Sequence, residues 1–326
     1  MERAGRLDLL LSWDGRRVTA AEVRSSRPPV ARVLRGKPVE EALRLVPLLF
    51  SLCGQAQGRC AEAAVAAACG RHPDEDKLRR RSDVILREAA GEHLWRLLLD
   101  WPAAVGLPQR RQELALARKR LAAASSTASW REALDDILAA SLLGQPARQW
   151  LDGELAAWSA TAAPAAELWR LVSAASARLE AVKPVSRENS PLARLQGRLP
   201  VDLHPVAARF LARLAELALW AAGHVPPPGK VLRGHSGQAG QGEALALVAR
   251  GSLHHRLRLE EGRVADYAIE GPTDWNFHPA GPFAREAVGI VGATEEEVAA
   301  TARLLALSLD PCVAVEVSVK REREHA

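Results

Sequence analysis

Leu309-Asp310-Pro311-Cys312-Val313-Ala314-Val315, close to the C-terminal end, is the stretch on which the fold turns. The segment before it has a helical pattern: Thr294 and Glu297 stand at capping-box spacing, and Ala299 to Leu307 continue it. Pro311 has no amide hydrogen and crowds the preceding turn, so it stops the helix and Cys312 leaves the helix C-terminus. A second cysteine takes the complementary place. Leu43, Val46, Pro47 and Phe50 lead into Cys53-Gly54, after which Ala61 to Ala68 is so rich in alanine that only helix fits it, closed by Gly70. Cys53 leading into a helix and Cys312 leaving one is an arrangement that suits two thiolates meeting in the core between elements.

Composition excludes several classes. At 326 residues with 48% hydrophobic side chains, the chain can bury a sizeable core and reads as a soluble globular protein. Its net charge of +5 comes from 44 basic and 39 acidic residues, without the concentrated basic stripe and interleaved aromatics of a nucleic-acid surface. Four scattered cysteines are too few for a disulfide framework and read as thiols of a reducing compartment, so a cytoplasmic location is expected. Glu2, Arg3, Arg6 and Asp8 interrupt the N-terminal stretch, and nowhere do about 18 uncharged apolar residues run together, so neither signal peptide nor membrane span is expected. Pro228-Gly229-Lys230 lacks the preceding glycine and following hydroxyl residue of a phosphate loop, and no Ser-His-Asp set has a local signature.

The chain begins with strands, continues with helices and returns to strands. Leu7 to Val23 alternates around Asp14-Gly15, a dipeptide that supplies the positive φ of a hairpin turn, giving a β meander within residues 1–37. Apolar residues at spacings of three and four predict helices over Asp74–Asp100, Gln109–Ala124, Trp130–Leu143, Arg148–Trp158, Pro164–Val182 and His204–Ala222, inside a bundle spanning 40–223. Pro184–Pro200 and Pro226–Gly242 read as surface connections, the second within a Gly/Pro-rich loop over 224–243. Strands return in 244–270 as Leu245–Val248, Leu253–Leu259 and Val264–Ile269, with Glu261-Gly262 as the last turn, and 294–319 holds the C-terminal helix and the Asp-Pro-Cys segment. His254 and His255 point to opposite faces of their strand, and a hydrogen-bonded structural role suits them better than a ligand role. Cys69, Glu92, His93 and the nine tryptophans read as packing residues, and Lys320 to His325 as a solvated tail.

Taken in order, these segments resemble the large subunit of nickel–iron hydrogenases, and more closely the hydrogenase accessory proteins of the HupK/HoxV type. Arg35-Gly36 and Pro38 precede the first cysteine, and Glu92-His93-Leu94-Trp95 through Leu99-Asp100-Trp101 is similar to the family's His-Phe-Tyr-His-Leu and Asp-Trp stretch. Ala249-Arg250-Gly251-Ser252-Leu253-His254 resembles its Pro-Arg-Gly-x-Leu-x-His strand, and Leu257 to Tyr267 its hairpin. Thr273-Asp274-Trp275-Asn276 with Pro279 resembles its Thr-Trp-Asn-x-x-Pro loop, and Asp310-Pro311-Cys312 its final motif. From about Leu107 to Gly240 nothing matches. The resemblance implies an α+β, mainly α fold: a single domain over 1–326 with a helical bundle core. A small antiparallel sheet drawn from Leu7–Val23 and Leu245–Ile269 caps it.

Departures from the family pattern bear on function. Each Cys-x-x-Cys pair of the family supplies one terminal nickel ligand and one thiolate bridging nickel to iron. Cys53 and Cys312 keep the first positions, whereas Ala56 and Val315 occupy the bridging ones and offer no lone pair. The resemblance therefore implies metal ligation by Cys53 and Cys312 without stable nickel and without catalysis. Cys60 and Ser318 replace the histidines that follow the two pairs, Ala4-Gly5-Arg6 stands where the family has Glu-Gly-His, and the sequence ends at Ala326 without the extension of a hydrogenase precursor. Arg250 is retained at the position whose counterpart lies over the iron and donates to its cyanide ligands.

The implied function is a maturation factor, a scaffold rather than an enzyme, that transiently holds an Fe(CN)2CO unit with Cys53 and Cys312 as metal ligands and Arg250 and Cys60 as further binding residues. Expected partners are the immature hydrogenase large subunit and the maturation proteins that build or deliver the iron unit, with no nucleic acid and no membrane. Two alternatives stand beside it: a reduced redox subunit of the same superfamily, and a metal-free chaperone that mimics the large subunit.

Overall fold

A computed structural model describes residues 5–50, 52–71, 73–179, 188–195, 197–200 and 202–322. Ala4, the helix end and loop expected over 180–187, and the tail beyond Glu322 lie outside the described residues. The strands are β1 (Arg6–Trp13), β2 (Val18–Ser25), β3 (Leu232–Ser236), β4 (Gln241–Val248), β5 (Gly251–Glu260), β6 (Arg263–Glu270) and β7 (Ala314–Arg321). The helices are α1 (Val39–Leu45), α2 (Gly54–Ala68), α3 (Glu75–Trp95), α4 (Trp101–Ala104), α5 (Arg111–Ala123), α6 (Thr127–Leu138), α7 (Ala147–Asp152), α8 (Leu155–Ser159), α9 (Pro164–Ser176), α10 (Pro191–Arg194), α11 (Pro205–Ala221), α12 (Pro228–Val231), α13 (Pro272–Asn276), α14 (Pro282–Ala287) and α15 (Glu295–Leu309). The fold is thus α+β and mainly helical. Its contacts form two compact units, one from Met1–Arg27, His93–His224 and Thr273–Ala326, the other from Pro28–Glu92 and Val225–Pro272.

The first unit is built around α11. Apolar residues surround this helix on all sides, as a central helix requires, and it packs against α6, α7, α9, α10 and α15. Trp101 meets Phe210 edge-on at 5.3 Å between ring centroids. Three charged residues of α11 are nevertheless buried, and each is neutralised. Arg209 pairs with Glu188 and Glu286, Arg213 with Asp310, and Glu216 with Arg194 and His93. Glu188 corrects the expectation of a surface connection over 184–200, because the buried Arg209 charge draws its carboxylate inside.

The same unit holds a mixed sheet of order β2-β1-β7. Leu7, Leu9, Leu11 and Trp13 alternate inward along β1. β2 pairs antiparallel with it (Leu9↔Val23), and β7 pairs parallel (Leu7↔Val315, Leu9↔Val317). The expected single antiparallel sheet is therefore two sheets, since β7 takes the edge of β1 while 232–270 close a sheet of their own. β7 was not expected, although Val313, Val315, Val317 and Val319 alternate with other residues as a half-buried strand does.

In the second unit β3-β4-β5-β6 form an antiparallel meander covered by α2. A strand and a short helix occupy the expected loop over 226–242. Alanines let α2 approach the sheet closely, and a Cβ on Gly242 would collide with the Ala64 carbonyl. Glu261 and Gly262 both have positive φ (48° and 73°), which suits the tight β5–β6 turn. Cys69, expected in the core, is exposed at the end of α2, because that helix stops there and leaves it beyond the buried face.

Candidate functional site

Cys53 is the N-cap of α2, yet its side chain caps nothing. Glu88 of α3 does so instead, accepting the amide hydrogens of Gln55 at 2.8 Å and Ala56 at 2.9 Å. Gly54 is required at the first position because a Cβ there would stand 2.8 Å from the Pro47 carbonyl oxygen. Replacing Glu88 by alanine would leave two first-turn donors unmet, an expected loss of about 1–2 kcal/mol in a denaturant titration. An unchanged midpoint would refute that capping role.

The Cys53 sulfur accepts a hydrogen bond from Gln57 Nε2 at 3.7 Å. Burial pushes its thiol up to about 12; the Arg250 charge and the Gln57 bond oppose this, while Glu92 and Glu88 add to it. At neutral pH the group is therefore a thiol that must release a proton to become a metal ligand. Arg250, 4% exposed at the turn between β4 and β5, is paired with Glu92 at 2.5 Å. The fold thus gathers Cys53, Arg250, Glu88 and Glu92 within one unit. Ala56, at the bridging position, is buried.

Cys60 lies two turns along α2 and donates its thiol to the Ala244 carbonyl at 3.4 Å, with burial pushing it further above the ordinary thiol range than Cys53. His255 is fully buried and joins Gln57 to Tyr267, whereas His254 is partly exposed beside Glu243.

Cys312 is positioned within the other unit by different means. α15 ends at Asp310, which adopts the left-handed region at φ 54°. Its carboxylate receives Arg96 Nε at 2.7 Å and Arg213 Nη1 at 2.8 Å, and Arg96 also donates to the Pro311 carbonyl at 3.3 Å. Arg96 opens a π-helical turn over Arg96–Asp100, where it also pairs with Asp100. Thr273 completes the cradle. Its hydroxyl oxygen accepts the Cys312 amide hydrogen at 3.1 Å, so the hydroxyl hydrogen is left to donate to the sulfur at 3.4 Å. Arg27 Nη1 lies 4.0 Å from the same sulfur, and that guanidinium is anchored by Asp274. Val315 stands in β7 opposite Leu7, as a strand residue without donor atoms.

Cys53 and Cys312 thus each have one neutral hydrogen-bond donor and one arginine from their own unit. Sequence reading missed Gln57, Arg27, Arg96 and Arg213. Thr273 and Asp274 had a signal in the Thr-Asp-Trp-Asn match, Glu92 and Asp100 in the Glu92–Trp101 match, and Asp310 in the Asp-Pro-Cys motif. Among the described residues, no three or more His, Cys, Asp or Glu side chains are grouped to hold a metal ion, and no helix is long and apolar enough to cross a membrane.

No protein-family model matches the chain. Its relatives include the hydrogenase expression/formation protein HupV of Azotobacter chroococcum mcd 1, 32% identical with 97% of this chain and 99% of that protein covered. HupK of Azotobacter vinelandii is 33% identical over the same shares, and HoxV of Cupriavidus necator is 29% identical with 89% and 91% covered. Among solved structures, an NAD+-reducing NiFe-hydrogenase superposes with a TM-score of 0.61 at 13% identity, covering 92% of this chain and 93% of that one. Such coverage takes in the helical middle, which carried no recognisable motif, and shows a fold shared with the large subunits of nickel–iron hydrogenases. With full-length similarity at this level to proteins of one description, the chain belongs to the family of hydrogenase expression/formation proteins of the HupK, HupV and HoxV type.

Proposed function

We propose that this protein acts in the formation of a nickel–iron hydrogenase as a carrier that transiently holds an Fe(CN)2CO unit, with Cys53 and Cys312 as the thiols that bind it and the immature large subunit as its recipient. The observation that carries this reading is Cys53 beside Arg250 in a largely buried setting, with alanine at the bridging position. A thiolate is a soft donor suited to iron bearing cyanide and carbonyl, and a guanidinium fork can donate to cyanide nitrogen. Two thiols, one of them costly to deprotonate, hold iron more weakly than four thiolates would, so transfer to a complete site runs downhill. Maturation proteins that build or deliver the unit are the other partners under this proposal, and catalysis is not part of it.

The test is infrared spectroscopy on protein purified without oxygen from a host that makes the hydrogenase maturation machinery. Cyanide and carbonyl stretching bands are expected in the wild-type protein and are expected to vanish in Cys53→Ala and in Cys312→Ala. Their absence from the wild type would sink the carrier reading. Hydrogen-dependent dye reduction by the isolated chain would overturn the non-enzymatic one.

A further inference from the structure

The geometry points to a positioning role for Gln57, His255 and Tyr267: together they form a buried relay that aims an amide N–H at the Cys53 sulfur and holds it there. All three belong to the unit that contains Cys53. Gln57 lies one turn into α2, His255 on β5 and Tyr267 on the adjoining β6. The links are Gln57 Nε2 to Cys53 Sγ at 3.7 Å, Gln57 Oε1 to His255 Nε2 at 2.8 Å, and His255 Nδ1 to Tyr267 Oη at 2.8 Å. Gln57 is 4% exposed, His255 0% and Tyr267 7%, so water has little access to replace a lost partner.

Donor and acceptor chemistry sets the direction of the relay. An amide oxygen can only accept, so the proton of the imidazole sits on His255 Nε2. Burial keeps that ring neutral, holding its pKa down at about 3, so Nδ1 presents a lone pair. The Tyr267 hydroxyl fills that lone pair, and its ring stands edge-on to the imidazole at 5.6 Å. In this arrangement Tyr267 donates to Nδ1, Nε2 donates to the Gln57 oxygen, and the amide turns its NH2 group toward sulfur. A hydrogen bond of this kind strengthens when the sulfur is charged, which is the state that ligates metal. Three apolar side chains could pack α2 on the sheet without the desolvation cost of this chain, so the polar choice calls for a function at its end.

Applied to cargo, this inference rests on the proposed carrier function; applied to the thiol, it does not. The experiment is therefore the rate at which iodoacetamide alkylates Cys53 at one fixed near-neutral pH, read on the Cys53 peptide by mass spectrometry. Gln57→Leu removes the donor and should slow alkylation about three- to fourfold, since a bond to a charged group is worth about tenfold in thiolate population and the more basic sulfur left behind recovers about half of that as nucleophilicity. Tyr267→Phe keeps the packing and removes only the hydroxyl that holds the tautomer, so a smaller slowing, about twofold, is expected, with no further effect when it is added to Gln57→Leu. Unchanged rates in Tyr267→Phe and Gln57→Leu would overturn the relay, and Tyr267→Phe decides alone if Gln57→Leu does not fold. In cargo-loaded protein the same substitutions should move the carbonyl stretch to lower wavenumber, because an undamped sulfur passes more electron density to iron. If alkylation slows as expected but wild-type protein shows no bands, the relay stands and the carrier falls. Bands together with unchanged alkylation rates would have the opposite meaning.

Discussion

Asp310→Asn is expected to lower the stability of the fold by about 3–5 kcal/mol, the cost of leaving a buried charge without its partner. The Asp310 and Arg213 side chains are each 1% exposed and meet at 2.8 Å, so no solvent is available to take over neutralisation. Asparagine tolerates the left-handed backbone at this position nearly as well as aspartate, so the substitution isolates the charge from the conformation. Asp310→Ala should cost about 1 kcal/mol more, because alanine lacks the short polar side chain that eases that region. Asp100→Asn is the control: its side chain is 26% exposed at the edge of the same cluster, and a loss of at most about 1 kcal/mol is expected. Urea titrations at constant m-value measure all three, and an Asp310→Asn midpoint equal to that of Asp100→Asn would refute the argument. The outcome bears on the Asp-Pro-Cys motif itself, since it assigns Asp310 to anchoring the segment that presents Cys312.

The second large effect is loss of stability on acidification. His255 is held neutral in the fold, with a pKa near 3 against an ordinary value of 6.5, first by burial and then by His254. The unfolded chain takes up a proton there below pH 6.5 and the folded chain does not until about pH 3, so the stabilisation is complete above 6.5 and is lost as pH falls. The slope is about 1.4 kcal/mol per pH unit, which amounts to about 5 kcal/mol across the whole window. His93, also fully buried, is shifted in the same direction by burial despite its bond to Glu216. Glu216 adds a separate loss at lower pH. Burial opposes its ionisation, but Arg194 and His93 prevail and hold its carboxyl at about 2, so its contribution fades between 4.5 and 2. Between pH 7 and pH 5 the denaturant midpoints thus report the depressed histidines, His204 among them through its burial, with Glu88 acting in the opposite sense because burial raises its carboxyl. His255→Gln should flatten part of that slope, and a wild-type profile level from 6.5 to 5 would show that His255 is not held neutral.

Much of the architecture was legible because it rests on local periodicity. The alternation in β1, the alanine run of α2, the Thr294–Glu297 spacing and the stop at Pro311 each act within a few residues, and each forms where its pattern predicts. The helical middle was legible as helices but not as part of a familiar fold. The match there lies in backbone geometry at 13% identity, and packing tolerates wide exchange of apolar residues when volume and pattern are kept. Polar pairing was the least legible. Arg209 looks like any helical arginine until Glu188 and Glu286 are brought to it, and Gln57 looks like a helix-surface residue until α2 lies against His255.

From sequence alone came the two cysteines at opposite kinds of helix end, the alanine and valine three residues beyond them, and the arginine in its Ala-Arg-Gly setting. These are identities at positions, and no folding is needed to read them. Tertiary structure alone decided that the strands form two sheets, that Cys69 faces solvent, that Glu92 holds Arg250, and that each retained sulfur receives a donor chosen by its own surroundings. Burial is the reason. It raises the free energy of every charge and unmet hydrogen bond until a partner is found, and that partner lies wherever the chain path brings it, over separations such as the 198 residues between Gln57 and His255 that no sequence period encodes.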